Sequence, residues 1–199
     1  MYQHKGDSTV TNTRVPDEPA WVRDDRTRTY FGQEWQNVPR TNEALFEHLC
    51  LLVFQSGLWW STVLAKREEL NRALHDFQPD RLAAMTVDDI SAYLEGDIGI
   101  RNESKLRACI ANARVLKESR VNLADLFAEA FPEELLCPCT EALPRTTAET
   151  DTLARELRAL GFQRLGPVVV CAVAQAAGYI RLETHTLNRR GQSRLALPG

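Results

Sequence analysis

The sequence predicts an all-α fold, on three observations. From Glu43 through Leu64 into Lys66-Arg-Glu-Glu69 the chain is largely apolar and free of proline, long enough for one bent helix or two. Two further segments carry apolar residues at helical spacing: Leu70, Ala73, Leu74 and Phe77 in one, Leu106, Ile110, Ala113 and Leu116 in the other. The run Val168-Val-Val-Cys171 has strand propensity, but the chain offers no second strand to pair with it, so a helix is expected there. Roughly eight to ten short helices with short connections make a globular helical bundle rather than a coiled coil.

Taken in order, residues 1–19 are polar, hold Gly6, Pro16 and Pro19, and read as a flexible tail. Trp21 to Trp35 carries aromatics at Trp21, Tyr30 and Trp35 without a clear period; part is expected as a short helix and part as loop, with the rings anchoring it on the core. Thr41 or Asn42 caps the next helix. Leu49–Phe54 is apolar on every side, as in a helix buried all round. The pattern breaks at Gln55-Ser56-Gly57, which reads either as a helix end with a left-handed glycine or as the wall of a pocket. Lys66–Phe77 continues as an amphipathic helix, and Asp76–Asp80 is a turn. Pro79 opens a short helix, and Thr86 caps another that ends near Glu95-Gly96.

A glycine-containing hairpin at 97–103 feeds the helix Ser104–Ser119, and Val121–Phe131 adds one more. Leu136–Thr147 is expected as a loop linking two lobes. From Thr150 the chain reads as helix, tight turn over Gly161–Pro167, and an apolar helix ending at Gly178. Residues 188–199 read as a second flexible tail, leaving 20–187 as a single helical domain.

The bulk numbers bound the function. A chain of 199 residues with 44% hydrophobic and 26% charged content fits one soluble domain. A net charge of -3 argues against a polybasic nucleic-acid coat, though not against a local basic face. No apolar run reaches membrane-span length and no signal peptide opens the sequence, so no membrane partner is expected. Five cysteines, an odd number without regular spacing, suggest reduced thiols and a cytoplasmic protein. Cys137-Pro-Cys139 has neither a zinc-ribbon nor a thioredoxin spacing.

The clearest chemical feature of the residues themselves is Gly161-Phe-Gln-Arg-Leu-Gly-Pro167. A glycine turn feeding a helix N-terminus leaves backbone N–H groups pointing outward, and these amides with the helix dipole hold a phosphate without a side chain. Arg155, Arg158 and Arg164 lie near in sequence. Such a grip reads backbone and no base. Similar turns also join packed helices that bind nothing.

Four pieces in one order carry a resemblance: Tyr30-Phe-Gly-Gln-Glu-Trp-Gln-Asn-Val-Pro39; Leu45-Phe-Glu-His-Leu-Cys-Leu-Leu-Val-Phe-Gln-Ser-Gly-Leu-Trp-Trp60; Gly99-Ile-Arg-Asn-Glu-Ser-Lys-Leu106 with Asn112-Ala-Arg114; and Gly161–Pro167 with Gln175-Ala-Ala-Gly178. Together they resemble the 3-methyladenine DNA glycosylase I family. The resemblance spans about residues 21–185 and is far more specific than any single motif. It implies a helix-hairpin-helix DNA glycosylase-like helical fold. It also implies a base-excision-repair hydrolase acting on double-stranded DNA, with a damaged purine flipped into a pocket and its N-glycosidic bond cleaved. An N3-alkylated adenine is cationic and already a good leaving group; aromatic faces add about 0.5–2 kcal/mol each by cation–π attraction.

By position, the resemblance places Tyr30, Trp60 and Trp21 in the base pocket, with Trp35 and Glu34 supporting it and Leu52 and Gln55 on its wall. Gly57, Leu58 and Trp59 sit where the strand-separating wedge lies. Gly161, Arg164 and Gly166, with Arg101 and Lys105, fall at the DNA-phosphate contacts. The departures are equally specific. The family's pocket glutamate is Leu52 here, which leaves Glu34 as the nearest acidic candidate for a catalytic role. The small residue before the pocket tryptophan is Trp59, and neighbours 100° apart on a helix do not face one cavity. The family's zinc is held by two cysteines and two histidines. Here the cysteine before Trp21 is missing, the histidine after the tyrosine is Phe31, His185 matches one ligand, and the last cysteine is Arg189, so no metal or other cofactor is expected. Two functions follow: a divergent DNA glycosylase without zinc, expected as a monomer, or a catalytically inactive DNA-binding or interaction protein that keeps the scaffold.

Overall fold

In the computed structural model of the protein, residues 18–183 are described, together with the backbone of 185–187 and 193–195. Helix α1 (Asp25–Gln33) begins at Asp24, whose carboxylate accepts from the Thr27 N–H while the Thr27 hydroxyl accepts from the Asp24 N–H. Thr41, not Asn42, caps α2 (Asn42–Gln55); the Asn42 side chain instead accepts from the Leu123 N–H. Helix α2 ends at Gln55, Gly57 takes φ +78°, and α3 (Trp60–Ala73) starts after Trp59, so the long apolar run is a helix pair. The segment ends the helix with Gly57 left-handed, as in the first reading, and of its three residues Gln55 lines a cavity.

Short α4 (Pro79–Ala83) carries proline in its first turn, where a missing N–H costs nothing. A capping box between Thr86 and Asp89 opens α5 (Val87–Glu95). Asn102 caps α6 (Glu103–Ser119), and Asn122 caps α7 (Leu123–Ala130). Strand β1 (Leu135–Cys137) follows, then α8 (Ala148–Ala159), α9 (Pro167–Ala176) and β2 (Ile180–Leu182), which pairs in parallel with β1. Strands β3 (His185–Leu187) and β4 (Ser193–Leu195) pair antiparallel.

The all-α class stands, with Val168–Cys171 inside α9 as expected. The two strand pairs were not expected. Each strand is three residues long, too short to show a period of two, and the β1–β2 pair forms because the chain leaving Gly178 returns beside Leu135. The start of the Leu136–Thr147 loop is thus strand, and Thr140–Ala142 is a single 3-10 turn. Part of each expected tail is ordered. Glu18 is buried and paired with Arg28 at 2.8 Å, and Ser193–Leu195 is a strand; residues 1–17 and the remainder of 188–199 lie outside the described residues.

Helix α2 is the centre of one continuous core, with Leu45, Phe46, Leu51 and Phe54 fully buried and α3, α6, α7 and α9 packed around it. Cys50, Cys109, Cys137 and Cys171 are buried free thiols. Among the described residues no helix is long and apolar enough to cross a membrane.

Candidate active site and nucleic-acid interface

Helix α2 presents one face to α1, α3 and α9, and a cavity of about 160 Å³ opens between them. Its walls are Trp21, Tyr30 and Trp35 from the N-terminal segment, His48, Leu52 and Gln55 from α2, Trp60 from α3, and Ala172, Gln175 and Ala176 from α9. A cavity of roughly 150 Å³ admits a benzene-sized ring. The aromatic rings meet edge to face: Trp21 and Tyr30 at 5.9 Å, Tyr30 and Trp60 at 5.3 Å, Trp21 and Trp35 at 5.8 Å. The structure therefore brings Trp21, Tyr30, Trp35, Leu52, Gln55 and Trp60 together. Trp59 and Trp60 part company at the start of α3: Trp60 is buried in the cavity wall, and Trp59 is 61% exposed with the Arg23 guanidinium 4.0 Å above its ring. Leu58 is also exposed, so Leu58 and Trp59 protrude together on the turn at Gly57.

Glu34 does not reach this cavity. Its carboxylate accepts two hydrogen bonds from Arg67 Nη1, at 2.7 and 2.8 Å, and Arg67 Nε also bonds Glu47. Burial works to raise the Glu34 pKa, but His48 and Arg67 outweigh it and bring it to about 2. A carboxylate so held is a structural anion, and the expectation of a catalytic Glu34 is corrected on that ground. It stands behind His48, whose Nε2 lies 3.3 Å from Glu34 Oε1. Burial also pushes the Tyr30 phenol far above its ordinary range, so it stays neutral.

Sequence reasoning passed over His48 and three residues of α9. The signal for His48 was available: it precedes Leu52 by four positions, one helical turn on the same face. Gln175 and its alanine neighbours sat in a quoted motif, but only the fold shows that α9 closes the cavity.

The predicted phosphate contacts divide. Helices α8 and α9 are joined by a tight turn with Gly161 at φ +103° and Arg164 at φ +59°. Gly166 caps α9 in an extended conformation, with open space where a side chain would stand. The turn is held from beneath by Asn112, which is buried and whose amide accepts from the Gln163 N–H and donates to the Gln163 carbonyl. Arg164 Nη2 donates to Ser104 Oγ at 2.7 Å. Arg101 lies on the turn before α6 and donates to the Gly96 carbonyl. Arg155 is occupied within α8, on Asp151 and Thr152.

Lys105 is a correction. Its side chain is buried and its ammonium donates to the carbonyls of Phe54, at 2.7 Å, and Ser56. Those are unsatisfied groups at the C-terminal end of α2, where a cation is favoured. Lys105 pins the Gly57 turn rather than facing a phosphate. Burial, with Arg164 nearby, lowers its pKa.

A zinc ion does not fit here. Phe31, at one ligand position of the resemblance, packs its ring on Trp21 at 5.8 Å and Trp35 at 5.1 Å and has no donor atom. Among the described residues no group of three or more histidine, cysteine and acidic side chains could hold a metal.

Comparison with known proteins agrees with this geometry. The family model described as methyladenine glycosylase matches residues 21–189. DNA-3-methyladenine glycosylase 1 of Escherichia coli K12 is 32% identical over 169 residues, covering 81% of this chain and 90% of that protein. DNA-3-methyladenine glycosylase of Haemophilus influenzae is 32% identical over 157 residues, covering 76% of this chain and 85% of that protein. A crystal structure of 3-methyladenine DNA glycosylase I superposes with a TM-score of 0.74 at 31% identity, over 81% of this chain and 93% of the other. The match of the family model over nearly the whole described chain, with relatives 32% identical, shows that this protein belongs to the methyladenine glycosylase family.

Proposed function

We propose that this chain is a DNA glycosylase of base excision repair: it grips duplex DNA, turns an alkylated purine out of the stack, and hydrolyses its N-glycosidic bond. The observation that carries this reading is the cavity walled by Trp21, Tyr30, Trp35 and Trp60, with the exposed pair Leu58-Trp59 on the adjoining turn. Aromatic faces stabilise a flat, electron-poor ring, and a wedge fills the gap that an extruded base leaves. The bound alkylated base supplies much of the driving force for bond cleavage, because its charge is discharged as it departs. The protein's work is then to unstack and hold the base while a water adds to the sugar carbon that the base leaves, its oxygen forming the new bond and its proton passing to solvent. The α8–α9 turn acts as a helix-hairpin-helix grip, its backbone N–H groups and Arg164 meeting phosphates, with Arg101 nearby along the chain. The free buried thiols fit a reducing compartment, the cytoplasm.

The lining without a carboxylate favours a second reading, a scaffold that binds damaged DNA without cleaving it. Release of 3-methyladenine from methylated duplex DNA, measured beside binding to an abasic-site duplex, separates the two. Release supports the glycosylase; binding without release supports the inactive scaffold; neither removes both.

A further inference from the structure

Trp59 stands where neither the stability of the fold nor the cavity calls for a tryptophan. It is the N-cap of α3, a position suited to serine, threonine, asparagine or aspartate, and its indole makes no capping hydrogen bond. It does not join the core either: it stays 61% exposed while Trp60, the next residue, enters the cavity wall. A ring that leaves a helix end uncapped and its own apolar surface in water weakens the fold. At a protein surface such a ring marks a contact.

The ring is also held in one place. The turn before it is fixed by Lys105, whose ammonium donates to the Phe54 and Ser56 carbonyls, and by Gln55, whose side-chain amide donates to the Leu58 carbonyl at 3.3 Å. The Arg23 guanidinium lies 4.0 Å over the indole. Arg23 stands on an anchored backbone. Its N–H donates to Thr27 Oγ1 at 3.0 Å, its Nε donates to the Ala20 carbonyl at 3.2 Å, and Trp21, two residues earlier, is part of the cavity wall. A cation covers one face of the indole, and among the described residues no second ring or cation covers the other. The complement of that open face is another flat π-system.

We propose that Trp59 is a stacking platform for the nucleobase that adjoins the gap left by an extruded base, and that Arg23 is its positioning residue. The proposal rests on the reading of the cavity as the seat of that extruded base. Trp59 and Trp60 are chain neighbours, about 3.8 Å apart at Cα. A base seated against Trp60 therefore leaves its gap in the duplex beside Trp59. The next base along the strand has lost its stacking neighbour on one face, and the indole takes that neighbour's place. Every base has a π-face, so the contact works at any sequence. Arg23 reads no base; by cation–π attraction it fixes the orientation in which the indole meets one.

The test uses the whole chain and a pair of duplexes of one sequence, one intact and one with a stable abasic site next to 2-aminopurine. The abasic site presents the gap with no base to extrude or cleave. Wild type is expected to bind the abasic duplex about tenfold more tightly than the intact one, from base–aromatic stacking. At saturation it should quench the 2-aminopurine. Trp59→Ala should lose both the preference and the quenching, and Trp59→Phe should keep both. Arg23→Met keeps the stem without the cation and should lose about threefold of the preference and part of the quenching. Arg23→Lys should restore them. Both positions are exposed, so unfolding should stay cooperative in every variant. A merely structural role would leave the quenching at saturation unchanged. A wild type that binds neither duplex or both alike, a Trp59→Ala that still quenches, or an Arg23→Met indistinguishable from wild type overturns the proposal. Base release from methylated duplex is read separately. A chain that quenches but releases nothing keeps the platform and loses the glycosylase reading; one that releases base without quenching does the reverse.

Discussion

Leu52 and Gly178 show what single positions decide. Leu52 faces the cavity on the same wall as His48 and supplies no charge to a cationic base. Leu52→Glu is expected to raise the rate of 3-methyladenine release from methylated DNA at least severalfold in a single-turnover assay, because a carboxylate there stabilises the bound cation. Gly178 ends α9 at φ +73°, and a Cβ there would lie 2.6 Å from the Gln36 carbonyl oxygen. Gly178→Ala should therefore cost at least about 1–2 kcal/mol from the left-handed conformation alone. In a chain of this size that is a fall in Tm of roughly 2–8 °C. The aromatic residues of the pocket were legible because their order along the chain carries the resemblance. His48 was passed over although it shares the face of Leu52, since a lone histidine in an apolar helix is usually only packed. Glu34 was misread because sequence gives its type but not the Arg67 guanidinium that claims it.

Among elements, α6 connects the two turns proposed to meet DNA. Its first turn gives Ser104 to Arg164 of the α8–α9 turn and Lys105 to the end of α2, and its middle gives Asn112 to Gln163. Lys105→Met removes the cation from the Phe54 and Ser56 carbonyls and should loosen the Leu58-Trp59 turn, seen as faster amide hydrogen exchange at 55–59. Gly166→Asp meets open space, so folding should be retained, while a negative charge enters where a phosphate would sit. DNA affinity is expected to fall about tenfold, independent of sequence, with a shallower salt dependence. Unchanged affinity in a folded variant would remove this turn from the interface. Helices of this kind were readable from capping residues and apolar spacing, as Thr86 and α5 show. The β1–β2 pair was not, because a contact between Leu135 and Ile180 depends on where the whole chain folds back.

At the scale of the molecule, stability and pH are linked through Glu34. Its pKa falls from an ordinary 4.5 to about 2 on folding, so the unfolded chain binds the proton more readily. The stabilisation is complete above 4.5 and is lost as the pH falls toward 2. Thermal unfolding followed across that range should show Tm declining in wild type, and declining less steeply in Glu34→Gln. The fold class and the family were open to a reading of residues alone, since both rest on patterns spread through some 160 positions from 21 to 185. The cavity was not, because its walls come from segments more than a hundred residues apart, Trp21 and Gln175 among them.

Phe31 has one more implication, for the conditions under which this protein can be made. Its ring meets Trp21 edge to face and lies tilted against Trp35, and it offers no donor atom to a metal. Expression in zinc-starved medium, or dialysis against EDTA, should leave its yield and melting curve untouched.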